Sequence, residues 1–439
     1  MKRLGVYIRA PFSEGQSGKR GFIVVTALSF TSKAMGFLRE ILVAFLFGAT
    51  AGVDAFVAAN TLYHLTAILL ATPFLVVVTP MLVEKGAREG EDAQARLFGS
   101  FGALALIATL GLIAILAALA PLAMFAIGPM FSPDTRALGT RLVYLMLPMT
   151  IGIIFTHLFS AYYNARRNFG PPQLSGIILN TVVIGLMFLA PLVGIYSLGI
   201  GWSVGYLVAT LALLAPLSRR LPIVRKPGWR ETKEFLVLSS PLLLGYVVDQ
   251  IYITINRAFA SSLPEGSMAA LAYAWKLFEI PMVLITALTT VHLTKAAEMA
   301  ARGELLNLRR FTFKLVGTGA LILVPASLIV MILSRPIVAM VLQRGAFGPG
   351  ATEATSAALF CYAPALFPLF VSHIALATFR GMKEFRIPLL INVISAVISV
   401  LANALLIGPF GIRGLASATT IVIVINTIIM VFFMWRRTR

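Results

Sequence analysis

Long apolar runs alternate with short polar breaks along the whole chain. A helix needs about 20 apolar residues to cross the hydrocarbon core of a bilayer. Twelve stretches have that length, at roughly 21–47, 53–83, 97–119, 141–163, 172–195, 197–217, 235–260, 268–294, 311–334, 354–379, 387–408 and 412–435. An amphipathic piece at 121–132 is expected to lie at the membrane interface between the third and fourth spans. The longest polar linker, 219–234, falls at the midpoint, with six spans on either side. The pattern predicts an all-α polytopic membrane protein: a basic tail (1–20), a first six-helix lobe (21–218), the linker, a second lobe (235–435) and a basic tail (436–439).

A midpoint linker suggests an internal repeat. Tyr163-Asn164-Ala165-Arg166-Arg167-Asn168-Phe169-Gly170-Pro171-Pro172 parallels Phe379-Arg380-Gly381-Met382-Lys383-Glu384-Phe385-Arg386-Ile387-Pro388 at an offset of 216 residues. Both read as an aromatic residue, a short basic loop, Phe, then Pro opening the next span. Leu198-Gly199-Ile200-Gly201 likewise parallels Phe410-Gly411-Ile412-Arg413-Gly414. Six spans is an even number, so the halves share one orientation. They are expected to be related by a pseudo-two-fold axis along the membrane normal, around a central cavity.

Composition agrees with the pattern and adds a charge. The 439 residues are 59% hydrophobic and only 12% charged, with a mean hydropathy of +0.91. An average soluble domain is about 25% charged, so a soluble enzyme, a disordered chain and a secreted disulfide scaffold are excluded. One cysteine, Cys361, allows no intramolecular disulfide. The net charge of +19 would suggest nucleic acid in a soluble protein; here it is topological, and no nucleic-acid partner is expected. With the N-terminus placed in the cytosol, inner loops, tails and helix ends hold 27 of the 36 Lys and Arg residues, and the outer ones hold five. Cytoplasmic loops collect Lys and Arg, so both termini are expected inside, with residues 1–20 as a tail and not a signal peptide.

The four remaining cations lie within spans, where charge is costly and normally faces protein or water. Lys33 and Arg39 are in span one with Glu40, Arg257 is in span seven with Asp249, and Lys276 is in span eight with Glu279. Asp54 sits at the outer start of span two. At about 100° per residue, Lys33 and Glu40 share a helix face and Arg39 points elsewhere. The bland readings are ion pairs, Arg39 with Glu40 and Lys276 with Glu279 three residues on, and a snorkelling Arg257 near its helix end. Against them stands the clustering in spans one, two, seven and eight, the opening helices of both halves. A cavity between them, with Asp54 at its rim and a slight cationic excess, suits an anion, above all a phosphate. His64, His157, His292 and His373 are scattered one per helix, so no catalytic cluster, metal site or cofactor is expected.

Ser32-Lys33-Ala34-Met35-Gly36-Phe37-Leu38-Arg39-Glu40, Phe47-Gly48-Ala49 and Asp54-Ala55-Phe56 resemble the opening of the MurJ (MviN) lipid II flippase family, within the multidrug/oligosaccharidyl-lipid/polysaccharide exporter superfamily. Tyr273-Ala274-Trp275-Lys276-Leu277-Phe278-Glu279-Ile280-Pro281 looks like that family's eighth helix, and Leu342-Gln343-Arg344-Gly345-Ala346-Phe347 like its outer loop before helix ten. The resemblance implies a flippase of the bacterial inner membrane. It would move a polyprenyl-pyrophosphate-linked saccharide to the outer leaflet by alternating access, for cell-wall or surface-glycan synthesis. It implies Lys33, Arg39 and Lys276 as holders of the pyrophosphate, with Asp54 and Arg257 as further substrate-binding candidates. Glu40, Asp249 and Glu279 are the acidic candidates for coupling to sodium or protons. A monomer surrounded by membrane lipids is expected, with no bond made or broken. Three departures stand out: Lys where the family usually has Arg at 33 and 276, no basic pair around Thr66-Ala67-Ile68, and twelve spans where the family usually adds two. An O-antigen or exopolysaccharide flippase is the alternative, then a cation-coupled drug exporter, and last a membrane-embedded enzyme acting on polyprenyl substrates.

Overall fold

The structure, a computed structural model, describes residues 19–217, 228–384 and 386–438, and all their side chains except those of 19–24, 241, 248, 249, 283, 284 and 287. The 219–234 linker therefore lies largely outside the described residues. The main helices among the described residues are α1 Lys19–Phe47, α2 Ala51–Glu89, α3 Glu91–Ile127, α4 Pro133–Ala165, α5 Gly170–Met187, α6 Tyr196–Leu214, α7 Trp229–Ala260, α8 in two pieces (Ser267–Phe278 and Met282–Ala301), α9 Leu305–Ile332, α10 Pro349–Gly381, α11 386–410 and α12 412–437.

The last two passes follow each other directly, yet they are not one rod. Asn426 Nδ2 donates to Ser395 Oγ at 2.8 Å across 31 residues. A straight helix would set those residues about 46 Å apart at 1.5 Å per residue. The chain doubles back at Gly411, whose φ of 54° and ψ of −128° are open chiefly to glycine. Gly414 then lies so near the Leu406 carbonyl that no Cβ fits between them.

Two expectations about boundaries change. The separate interface piece at 121–132 does not form, because α3 continues through Pro121 to Ile127. Leu112, Leu116, Ala120, Met124 and Ile127 make one buried stripe at helical spacing, and that stripe carries the helix past the proline. Span eight, expected as one helix, breaks after Phe278, and Pro281 caps its second piece.

The internal repeat is written into the backbone. Left-handed residues occur in pairs 213–218 positions apart: Gly48 and Gly266, Gly90 and Gly303, Arg167 and Lys383, Gly194 and Gly411. The third pair ends α4 and α10 with one hydrogen-bond pattern. Asn168 N–H donates to the Tyr163 carbonyl and Arg167 N–H to that of Asn164; Glu384 donates to Phe379 and Lys383 to Arg380. That is the Schellman arrangement, which satisfies carbonyls a helix end leaves open. A cation there also favours the negative end of the helix dipole.

The chain packs into two compact units. One holds the residues through Leu46, Ala55–Ala126 and Ser132–Val247; the other holds Phe47–Asp54, Ile127–Phe131 and Val248–Arg439. The division falls inside α7, because Phe235 packs against Phe74 and Phe101, at 5.0 and 5.5 Å between ring centres. In the first unit α6 lies against α4 and α5. Gly201 and Gly205 meet Val183 and Leu179 of α5 without room for a larger side chain, the close approach that small residues permit. In the second, α10 packs on both pieces of α8, on α9 and on the closing hairpin.

Gly411→Ala forces a Cβ into left-handed backbone and is expected to cost roughly 1–2 kcal/mol, lowering the melting temperature in detergent. Gly317→Ala, in open space within α9, is expected to leave it unchanged or raise it, since Ala favours a helix by about 1 kcal/mol over Gly.

Candidate functional site

Each unit carries its own set of membrane-embedded charges. In the first, Arg39 is engaged on three sides. Its Nη1 donates to Asn180 Oδ1 at 2.7 Å, its Nη2 to Glu40 Oε1 at 2.7 Å, and its guanidinium carbon stands 4.4 Å from the centre of the Trp202 ring. Asn180 is buried and saturated, donating its amide to the carbonyls of Ser32 and Gly176 as well. Arg39 thus pins α1 to α5 and α6. Glu40 turns to Arg39 and not to Lys33, although it shares Lys33's helix face, because a guanidinium already held in place by Asn180 and the Trp202 ring offers the better partner. Lys33 is left exposed, with no hydrogen bond or ion pair among the described residues.

In the second unit, Lys276 Nζ donates to Glu279 Oε2 at 2.9 Å. Both side chains stay accessible, at 48% and 40% exposure, so the pair is solvated and its amine can be reached by a ligand. Glu279 stands at the break in α8, where its other oxygen accepts from Trp275 Nε1 at 2.8 Å. Trp275 turns away from Lys276 and meets Tyr362 edge-on at 5.3 Å. Arg257 lines a cavity of about 210 Å³ with Tyr252, Asn256, Trp275, Tyr362 and Thr419. The side chain of Asp249 lies outside the described residues.

Asp54 takes a place other than the polar rim expected for it. It is buried, and both its oxygens accept backbone N–H groups: Oδ2 from Gly266 at 2.6 Å and Oδ1 from Ala269 at 2.7 Å. The first piece of α8 begins at Gly266, which has no side chain to cap it. Asp54 supplies the cap from more than 200 residues away, with the negative charge the helix N-terminus prefers. Around it the turn at Gly48 is clasped. Tyr273 Oη donates to the Gly48 carbonyl at 3.0 Å, and Phe347 packs edge-on against Tyr273 at 5.5 Å. Gly48 and Gly266 are pressed against the carbonyls of Ala346 and Ala49, so neither admits a Cβ.

The structure therefore separates the predicted residues by role. Lys33 and Lys276 are the accessible cations, Arg39 and Glu40 hold helices together, and Asp54 holds an inter-helix turn. Asn180 and Trp202 escaped the sequence reading, because an amide and an indole in an apolar helix look like packing residues. Asp54→Ala is expected to destabilise the protein by about 1–2 kcal/mol through loss of the cap, read as a lowered melting temperature, with Asp54→Asn losing less.

The sequence profile of the family described as Lipid II flippase MurJ matches residues 43–439. Among curated proteins, a probable lipid II flippase MurJ of Buchnera aphidicola (subsp. Acyrthosiphon pisum) is 26% identical over 419 residues, covering 93% of this chain and 82% of that one. A counterpart from Vibrio cholerae is 27% identical over 431 residues, covering 92% and 80%. Among solved structures, a lipid II flippase MurJ in an inward closed conformation superposes with a TM-score of 0.82 at 21% identity, covering 94% of this chain and 87% of that one. An inward-facing multidrug-resistance MATE transporter of the MOP superfamily superposes at 0.81 with 14% identity, covering 95% and 98%. The MATE likeness establishes the fold alone, while the profile match over nearly the whole chain establishes the family: this protein belongs to the MurJ lipid II flippases.

Proposed function

We propose that this protein is a flippase of the bacterial inner membrane whose cargo is lipid II or a close polyprenyl-pyrophosphate-linked saccharide. The cargo is offered alternately to the inner and outer leaflets, and no bond is made or broken. The observation that carries this reading is the accessibility of Lys33 and Lys276. Every other embedded charge whose partners are described, apart from Arg257, is taken up in holding the fold or in the pair with Lys276. A cation left exposed in an apolar helix needs a reason, and an anionic headgroup supplies one in each unit. A lysine meets phosphate as a mobile point charge and not as a bidentate fork, which suits a headgroup that must be released again. Arg39 then acts as a positioning residue, fixing the pitch of α1 so that Lys33 stays presented.

The 27-to-5 distribution of basic residues supports a topology with both termini in the cytosol. The protein is read as a monomer, with sodium or protons as candidate coupling ions. A drug exporter with cationic cargo would expose acids at these positions, and here the exposed groups include both amines.

In a strain depleted of its own lipid II flippase, wild-type protein is expected to restore growth. Lys33→Ala and Lys276→Ala are expected to fail while remaining in the membrane at wild-type level, and normal growth of both variants would overturn the assignment. A fluorescent protein fused to the C-terminus should fluoresce and a phosphatase fused there should stay inactive; the reverse result contradicts the topology.

A further inference from the structure

The first unit contains a cavity of about 350 Å³ at the end that carries the 166–169 hairpin. Its volume falls within the range of small-molecule sites, about 300–1,000 Å³. Thr156, His157, Ser160 and Asn164 line it from successive turns of α4, with Phe169 and Gln173 opposite. Among the described residues, no charged side chain contributes to its wall.

The hydrogen-bonding capacity left open there is large and neutral. Thr156 is occupied by Thr210 at 2.8 Å. His157 Nδ1 pairs with the Ile153 carbonyl at 2.8 Å, which leaves Nε2 as the ring's open nitrogen. Gln173 Oε1 accepts from Ser29 at 2.8 Å, so its amide keeps two N–H donors. The Ser160 hydroxyl and the Asn164 amide have no hydrogen-bond partner among the described residues, and Ser160 is 93% buried. Phe169, 38% exposed, adds an aromatic ring.

These groups discriminate between ligand classes. An anion would want a cation and finds none; a cation would want a carboxylate and finds none; a prenyl chain would leave the amide and hydroxyl groups unpaired, at a cost of about 1–3 kcal/mol each. A neutral ring bearing hydroxyl and acetamido groups has a complementary partner for each, and an apolar face for Phe169. Val25, on the wall, is eight residues from Lys33 on α1, about 12 Å along the helix axis. One headgroup can therefore reach both, with its anion at Lys33 and its sugar beyond.

We propose that this cavity is the saccharide subsite of the cargo, with Ser160, Asn164 and Gln173 as its hydrogen-bonding residues. The proposal rests on the flippase reading above and adds where the sugar is held. Two probes separate the claims: lipid II, and undecaprenyl pyrophosphate, which has the same anion and tail but no sugar. Binding to the full-length protein in nanodiscs is measured by native mass spectrometry, with melting temperatures in parallel. Asn164→Leu and Gln173→Leu are each expected to weaken lipid II binding about tenfold and to leave undecaprenyl pyrophosphate binding unchanged. Ser160→Ala, a smaller change that keeps the fold, is expected to act in the same direction by a few-fold. Unchanged lipid II affinity in all three variants overturns the subsite, as does an equal loss for both probes. Wild-type protein that binds neither probe overturns the flippase reading itself.

Discussion

Moving a charge into hydrocarbon costs at least about 2.5 kcal/mol on insertion scales, and that penalty decides where each embedded ion of this protein sits. Arg39 is surrounded by Asn180, Glu40 and Trp202. Asp54 gives both oxygens to the N-terminus of α8. In each case the charge is neutralised by groups that also fix helix positions, so the same contact that makes the ion tolerable holds the fold. Lys33 and Lys276 remain reachable.

The scaffold beneath these contacts is one plan used twice. Left-handed turns recur 213–218 residues apart, and one pair shares its helix-ending hydrogen bonds residue for residue. The embedded ions follow that plan only in part. Arg257 stands 218 residues after Arg39, the offset that separates Gly48 and Gly266, whereas Lys276 falls opposite Ala58. Arg39 is stacked on Trp202 and bonded to Asn180 and Glu40, while Arg257 lines a cavity with Tyr252, Asn256 and Tyr362.

Much of this was legible in the sequence, and the gaps have physical causes. Span lengths follow from hydropathy, and the repeat from short basic loops followed by proline, because both signals are local. The parallel drawn between Gly199 and Gly411 does not hold, because Gly199 lies within α6 and the turn that matches Gly411 is at Gly194, 217 residues before it. The Arg39–Glu40 and Lys276–Glu279 pairs are local and were legible too; Asn180 as a partner of Arg39 and Gly266 as a partner of Asp54 were not, since they lie 141 and 212 residues away. A carboxylate at the start of a span reads as a rim charge until the uncapped helix beside it is seen. The 121–132 piece was misread because its polar break and Pro121 suggested an interface, whereas the buried stripe of α3 runs straight through. The cavity was not legible because the α4 stripe of Thr156, Ser160 and Asn164 meets Val25, Leu75 and Gln173, from other helices, only in the fold.

The central claim is that two accessible lysines, and not the saturated arginine, meet the anion of the cargo. Amine labelling read by mass spectrometry tests it directly, on protein in nanodiscs with and without undecaprenyl pyrophosphate. The account predicts that Lys33 and Lys276 both lose reactivity when the pyrophosphate lipid is present, while Lys85 and Lys314, outside the proposed site, keep theirs. Unchanged reactivity of Lys33 and Lys276 at saturating lipid would contradict it.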